Sequence, residues 1–485
     1  MDVLLTNTVA VVLVFVLITH LSYSWLLPKP IPGIPHNPVT SVLGDLPAFS
    51  HDKKNGNKLL SNFVADMIKI HGSISQILFG WHRIVIVADR NEAERITLGG
   101  KMADTTELFR SIIATALPKS QLSLPADDIW KKHRRLAGPS MSRHYLERMS
   151  GRIAFGANEL VRFWNAKYAL VGGTAFEADM DFHMATMVRY SLRWYFKCLP
   201  HAYPKPEIPI LPGRIALVSE CYSLHLVSCL TIWCQVNIAL GESIGCIESA
   251  YSALPSTYSR STSIAHLPHS EPPPLFTAGK VIAKAIEKAL QSPFPRLSTW
   301  IFTYTSPTWW KNYNFMVSFF TSAILRARER EVELGRTDQG LSTNADCVLD
   351  MILQREKREG AESLGDQDIL DELITYVFAG QDTTAAVLSW LVKYLPANPE
   401  IQRKLHEEMS TVFGQDSESN EMLDFNLLDD PERVPVLEAV VAETLRCAAV
   451  AAFIGRELLK DEIILGRLVP QGKSLGHIYF SPPKQ

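Results

Sequence analysis

Asp366-Gln-Asp-Ile-Leu-Asp-Glu-Leu-Ile-Thr-Tyr-Val-Phe-Ala-Gly-Gln-Asp-Thr-Thr-Ala-Ala-Val-Leu-Ser-Trp-Leu-Val-Lys-Tyr-Leu395 is the stretch around which the rest of the chain is organised. Leu373, Val377, Gly380, Thr384, Val387 and Leu391 recur at steps of three and four, which is one face of a helix. Asp366, Asp368, Asp371 and Glu372 crowd its start, where carboxylates favour the positive end of the helix dipole. Pro396 stops the pattern, and Asn398-Pro399 caps and opens the next helix. A helix this long and apolar on most sides runs through a core.

Its middle is unusual. Ala379-Gly380-Gln381-Asp382-Thr383-Thr384 places a glycine, an acid and two β-branched hydroxyls together in a buried helix, each unfavourable there on propensity. Gly380 permits close approach to the backbone. A threonine hydroxyl can bond the carbonyl four residues back. Two readings stand: a kinked core helix with a satisfied Asp382, or an acid–alcohol pair, Asp382 and Thr383, beside a bound cofactor.

The chain has 485 residues, 47% of them hydrophobic, and a net charge of -3. That balance gives ample core and no electrostatic case for nucleic acid. No mid-chain linker divides the body, so one large domain is expected. The seven cysteines, Cys198, Cys221, Cys229, Cys234, Cys246, Cys347 and Cys447, are odd in number and lack CxxC spacing. They read as reduced thiols, neither a disulfide framework nor a zinc site. No residue set with metal-ligand spacing is found.

Val3–Leu27 carries no Lys, Arg, Asp or Glu. That length suffices to cross a bilayer core of ~30 Å. Only Asp2 precedes the run, which disfavours a cleaved signal, and Trp25 and Lys29 suit the interface. A retained anchor over 3–27 is expected, then a stiff proline-rich hinge over 28–40. Lys58–Ile70 and Arg90–Leu98 read as helices flanking a hairpin, Ser73–Phe79 and Arg83–Ala88, turned at Gly80-Trp81-His82. Residues 200–239 hold weak periodicity and three of the cysteines, and read as an insertion or retained intron. Pro435–Val450 is a further helix. Phe276, Trp309 and Trp310 are candidate lipid contacts.

Two pairs carry candidate chemistry. Trp130 and Arg134 lie four apart on one helix face within Asp127–Ser142. An Arg gives a carboxylate two parallel hydrogen bonds and an indole adds a donor. A basic solvated helix with one buried Trp gives the same pattern. Glu443 and Arg446 lie three apart and able to pair, which in isolation is an ordinary surface ion pair.

Taken together, Ala379–Thr384, Trp130/Arg134 and Glu443/Arg446 resemble the motifs of the cytochrome P450 monooxygenases, with fungal microsomal members the nearest in general look. The resemblance runs from the anchor to about Gly472, so 41–472 is expected to be the catalytic domain. It implies a mostly α fold with a small β-sheet and a haem cofactor. Trp130 and Arg134 would bind a haem propionate, Asp382 and Thr383 would relay protons, and Glu443 and Arg446 would be a buried structural pair. His133 and Arg135 would face elsewhere. It further implies an NADPH-cytochrome P450 reductase as electron donor, since no Gly-x-Gly-x-x-Gly fingerprint is present. The substrate would be a lipophilic small molecule, hydroxylated or epoxidised in secondary metabolism. The body would sit on the cytosolic face of the endoplasmic reticulum. The family's Phe-x-x-Gly-x-Arg-x-Cys-x-Gly loop, whose Cys ligates iron, is absent from these residues. The 473–485 segment is expected to be a divergent tail, the P450 fold to be C-terminally incomplete, and a working haem-thiolate centre not to form. An inactive membrane-anchored relative is the alternative this raises.

Overall fold

The computed structural model describes residues 15–49, 60–98 except 81, 102–172, 175–176, 178, 181–182, 235–241, 246–258, 264–268, 271–336 except 291 and 293, 347–359, 364–413, 425–448 and 453–478. Residues 3–14 of the expected anchor, most of 200–239 and the last seven residues lie outside this set. So does the Asp382 side chain.

The elements used below are, in chain order, α1 (Leu60–His71), β1 (Ile74–Phe79), β2 (His82–Val87), α2 (Arg90–Leu98), β3 (Ala103–Thr105), α3 (Asp128–Ala137), α4 (Arg143–Val171), α5 (Pro274–Leu290), α6 (Pro307–Arg336), α7 (Val348–Glu359), α8 (Asp366–Tyr394), α9 (Pro399–Phe413), α10 (Pro435–Ala448), β4 (Phe453–Leu458), β5 (Glu462–Ile464), β6 (Arg467–Val469) and β7 (Ser474–Ile478). Helix dominates, as the sequence implies. The chain divides into two compact units.

One unit comprises Met1–Ile112, Glu287–Trp300 and Ala451–Gln485. It holds a five-stranded sheet in the order β1-β2-β7-β4-β3. The expected hairpin is present, with Phe79 opposite His82. Alternation sorts its side chains. Ile77 and Ile86 pack on Phe63, Val64 and Met67 of α1, while Ile74, Val85 and Val87 join a second core on the other face. That second core also contains Ile31, Ile34, Leu458, Ile464, Val469 and Leu475.

Two expectations change here. Residues 28–40 do not form a free spacer. Gln76, wholly buried, accepts from the Ile31 amide at 2.8 Å and donates to the Ile31 and Ile34 carbonyls at 2.9 and 2.8 Å. A chain rich in proline lacks its own ladder of donors, and this side chain supplies the missing partners. Ser474–Ile478, expected in a divergent tail, is β7, parallel to β2 and antiparallel to β4 at the centre of the sheet. Its buried Leu475 explains the placement: an alternating segment finds two strand edges to fill. β5 ends at Ile464, because Leu465 and Gly466 form the turn with φ of 48° and 75°. Of the expected anchor, residues 15–26 are helical and exposed. Among the described residues no helix is long and apolar enough to cross a membrane.

The other unit comprises Ile113–Ile286 and Ile301–Val450. The central helix of the sequence reading is continuous as α8, and Leu373, Val377, Leu388 and Leu391 on it are buried. Helices α6, α7 and α10 pack around it. At its start the carboxylate of Asp368 accepts from the Gly365 amide at 3.0 Å, satisfying one of the free donors of the first turn. Phe276 and Trp309, candidates for lipid contact, are buried, whereas Trp310 is exposed.

Gln76→Leu keeps the volume but strands two buried backbone groups, the Ile31 amide and the Ile34 carbonyl, while the Ile31 carbonyl keeps the Ile34 amide at 3.4 Å. It should cost about 2–6 kcal/mol in urea unfolding, since each such group costs about 1–3 kcal/mol. It should also open 28–40 to protease. An unchanged urea midpoint would show that the hinge is held by Ile31 and Ile34 alone.

Candidate active site

Helix α3 carries the Trp130/Arg134 pair. Asp127 begins it, accepting from the Trp130 amide at 3.0 Å, the capping bond expected of an N-terminal Asp. The buried side of the helix is His133, Leu136 and Ala137. Arg134 is exposed, Trp130 half-buried. The expectation that Arg135 faces elsewhere agrees with its exposure. His133 faces inward: its Nδ1 lies 2.7 Å from Glu372 Oε1.

That contact belongs to a seam along α8. Glu372 is wholly buried and accepts at 2.7 Å from both the backbone amide and the side-chain amide of Gln121. Asp371, beside it, accepts from the Lys119 amide at 2.7 Å and from Gln367 Nε2 at 2.8 Å. Burial pushes the Asp371 carboxyl above the usual carboxylate range, against the pull of the Lys119 bond. One turn on, Thr375 meets Ser120 at 2.7 Å. Tyr376 donates to the Ala137 carbonyl at 2.9 Å and meets Ser140 at 2.7 Å. Residues 371, 372, 375 and 376 fall in two adjacent rows of one helix face. They fasten the whole segment 117–140 to α8. The sequence analysis assigned both acids to the helix dipole and missed this role. The signal was there: Asp371 and Glu372 stand past the first turn, against Leu370, Leu373 and Ile374.

The same face continues to the expected site. Tyr376, Ala379, Gly380 and Thr383 follow i, i+3, i+4, i+7 spacing. Here the burial of α8 breaks. Residues 371–377 and 384–385 are buried, whereas Ala379 and Thr383 are exposed and Phe378 and Gly380 half-buried. The Thr383 hydroxyl donates to the Ala379 carbonyl at 2.9 Å, with Gly380 O at 3.4 Å, the back-bond expected from the sequence. Burial pushes the Tyr376 hydroxyl up to about 12, opposed by the Ser140 bond and by the nearby Arg134 charge. Arg134 therefore lies within electrostatic reach of this face. Trp130 and Arg134 on α3 and Thr383 on α8 belong to the same unit, as does Asp382 on α8.

Above Phe378 the packing is tight. Gly279 of α5 has no room for a side chain: a Cβ there would lie 2.0 Å from the Phe378 ring. Glycine is what lets α5 approach α8 at this height.

Glu443 and Arg446 do pair, Arg446 Nε donating to Oε2 at 2.7 Å and Nη2 to Oε1 at 2.6 Å. The burial that the resemblance implied is not seen: the Glu443 side chain is 62% exposed. The Arg446 guanidinium holds the Glu443 carboxyl below the usual range.

A sequence profile of the cytochrome P450 family matches residues 263–479. A cytochrome P450 monooxygenase of Pestalotiopsis microspora is 26% identical, over 98% of this chain and 78% of its own length. Another, TRI13 of Fusarium sporotrichioides, is 26% identical over 96% of this chain and 75% of its own. The chain is similar to the cytochrome P450 monooxygenases, by the profile over residues 263–479 and by these relatives over nearly all of its length, and that similarity marks it as a monooxygenase with a haem cofactor. A cytochrome P450 crystal structure shares its fold, with a TM-score of 0.63 at 14% identity, covering 93% of this chain and 79% of that one. The profile reaches past Gly472 into β7, in keeping with that strand's place in the sheet.

The residues present fit one edge of a haem. Arg134 is exposed on α3 with Trp130 one turn before it, and a guanidinium and an indole are a donor set that suits a carboxylate at a flat group's rim. They do not supply its axial thiolate. Of the described cysteine side chains, Cys347 is buried, with its thiol pushed well up by burial. Cys447 is bonded to Arg446 Nη2 at 3.2 Å, its thiol also raised by burial. Neither favours the thiolate that iron ligation needs.

Gly279→Ala should cost about 1–3 kcal/mol by overpacking. Phe378→Ala should relieve most of that cost in the double variant. Additive losses in a thermal-unfolding cycle would show that the two sites do not touch.

Proposed function

We propose that this cytochrome P450 oxidises an apolar small molecule by hydroxylation or epoxidation, with electrons from an NADPH-dependent reductase. The observation that carries the proposal is the break in the burial of α8 at Phe378, Ala379, Gly380 and Thr383, a strip that offers carbon and one hydroxyl. Such a strip suits a lipophilic substrate and offers few polar groups to orient it. A place in secondary metabolism rests on the fungal relatives alone.

Haem iron with a thiolate ligand, which neither Cys347 nor Cys447 favours supplying, would provide the oxygen reduction and O–O cleavage of this chemistry. The chain's own residues have separate tasks. Arg134 and Trp130 would hold a haem carboxylate by charge-assisted hydrogen bonds. Thr383 keeps its proton directed at the Ala379 carbonyl and is free to rotate it into the accessible strip. With Asp382 one residue before, it would pass protons from solvent as a positioned relay. Phe378, held under Gly279, would limit the size of what lies against the strip.

We also propose attachment to the endoplasmic reticulum membrane through residues 3–27, with the body on the cytosolic side. The exposed apolar side chains of residues 15–26 support it, Trp25 being 74% exposed. Deletion of 1–27 should move the protein to the soluble fraction after a carbonate wash. Retention on membranes would put the attachment elsewhere.

In the haem-loaded protein with its reductase, Thr383→Ala should lower product per NADPH by about a hundredfold, the lower end of general acid–base effects. NADPH use should continue, with hydrogen peroxide making up the difference. Unchanged coupling would remove Thr383 from the relay, and absence of any oxidised apolar product from the parent would sink the proposal itself.

A further inference from the structure

The contact between His133 and Glu372 is one of the most deeply buried polar contacts in the unit, with side chains 1% and 0% exposed. It joins residues 239 positions apart in sequence. Glu372 cannot turn freely. Gln121 holds both of its oxygens, the backbone amide on Oε1 and the side-chain amide on Oε2. A carboxylate oxygen that already accepts there makes His133 Nδ1 the donor of the third bond. The other ring nitrogen, Nε2, is buried with no partner among the described residues. The ring thus makes one directed bond and carries one orphaned acceptor, a poor choice for a residue that only fills space.

The position of that bond on α3 gives it a use. Adjacent helix residues are about 100° apart around the axis. Pinning His133 fixes the rotation of α3, and with it the direction of Arg134 next along and of Trp130 one turn before. Tyr376, one turn after Glu372 on α8, takes the Ala137 carbonyl and so fixes the other end of the same helix. Two bonds to one row of α8 set both the rotation and the height of α3 against α8.

We propose that His133 is a positioning residue: the bond from its Nδ1 to Glu372 orients α3 so that Arg134 and Trp130 are presented to a carboxylate on the α8 face. This rests on the reading of Arg134 as the anchor of a haem carboxylate. The ring contributes a donor on the atom next to Cγ, and an asparagine amide places a donor on the same atom. His133→Asn therefore keeps the bond and removes the orphaned Nε2. His133→Leu keeps bulk without a donor, and His133→Gln carries its donor one bond too far.

The test uses the full chain with two readouts. Amide exchange over residues 128–137 reads the seating of α3. Titration with hemin, followed by its absorption band, reads the anchor. Leu and Gln should each speed exchange in 128–137 and weaken hemin binding by about tenfold, the loss of one buried hydrogen bond. Asn should return both to within about threefold of the parent. If Leu does not fold, Gln carries the comparison. Asn no better than Leu or Gln would mean that the ring acts by shape, and the proposal falls. Parent-like behaviour of Leu and Gln in both readouts would also overturn it. Absence of hemin binding from the parent as well would overturn the reading of Arg134. Exchange would then decide the clasp alone, and Asn and Gln must still separate there.

Discussion

Two acids inside an apolar helix set the terms for half of this molecule. Asp371 and Glu372 are wholly buried on α8. A buried carboxylate without donors is too costly to keep, so the fold must deliver hydrogen bonds to it from somewhere else in the chain. The segment 117–140 delivers them, from Lys119, Gln121 and His133, and Ser120, Ser140 and the Ala137 carbonyl complete the seam. The helix that carries Trp130 and Arg134 is placed by this demand. The candidate site is therefore a by-product of satisfying buried charge, and the break in burial at Ala379 begins where the seam ends.

Much of this was legible from sequence because it is local. The span of α8, the hairpin of β1 and β2, helix α2 and the pairing of Glu443 with Arg446 follow from spacing and from punctuation by Gly and Pro, all within a few residues. Trp130, Arg134 and Thr383 were singled out by resemblance, and all three lie in the same unit. What was missed is non-local. The sequence shows acids near a helix start but not that their donors sit 251 and 252 positions away. His133 was expected to face elsewhere, and the rotation of α3 turns it inward onto Glu372. β7 was left to the tail because a short alternating segment shows its meaning only when two strand edges await it. The exposure of Glu443 also departs from the family pattern, since nothing among the described residues covers that face of α10.

The expected hinge offers the last point. Gln76 grips the backbone at Ile31 and Ile34, and Arg467 donates to the Gly33 carbonyl between them. Tyr23, in the helix before, donates to the Thr40 carbonyl at 2.8 Å, beyond the gripped stretch. The polypeptide here has no slack. Tension applied at the N-terminus would not be absorbed by uncoiling a leash; it would load β1 directly, in shear, through the amide of a single glutamine. Any surface holding residues 15–26 would thereby hold the edge of the sheet at a set distance, and what diffuses is the sheet and the helix as one piece.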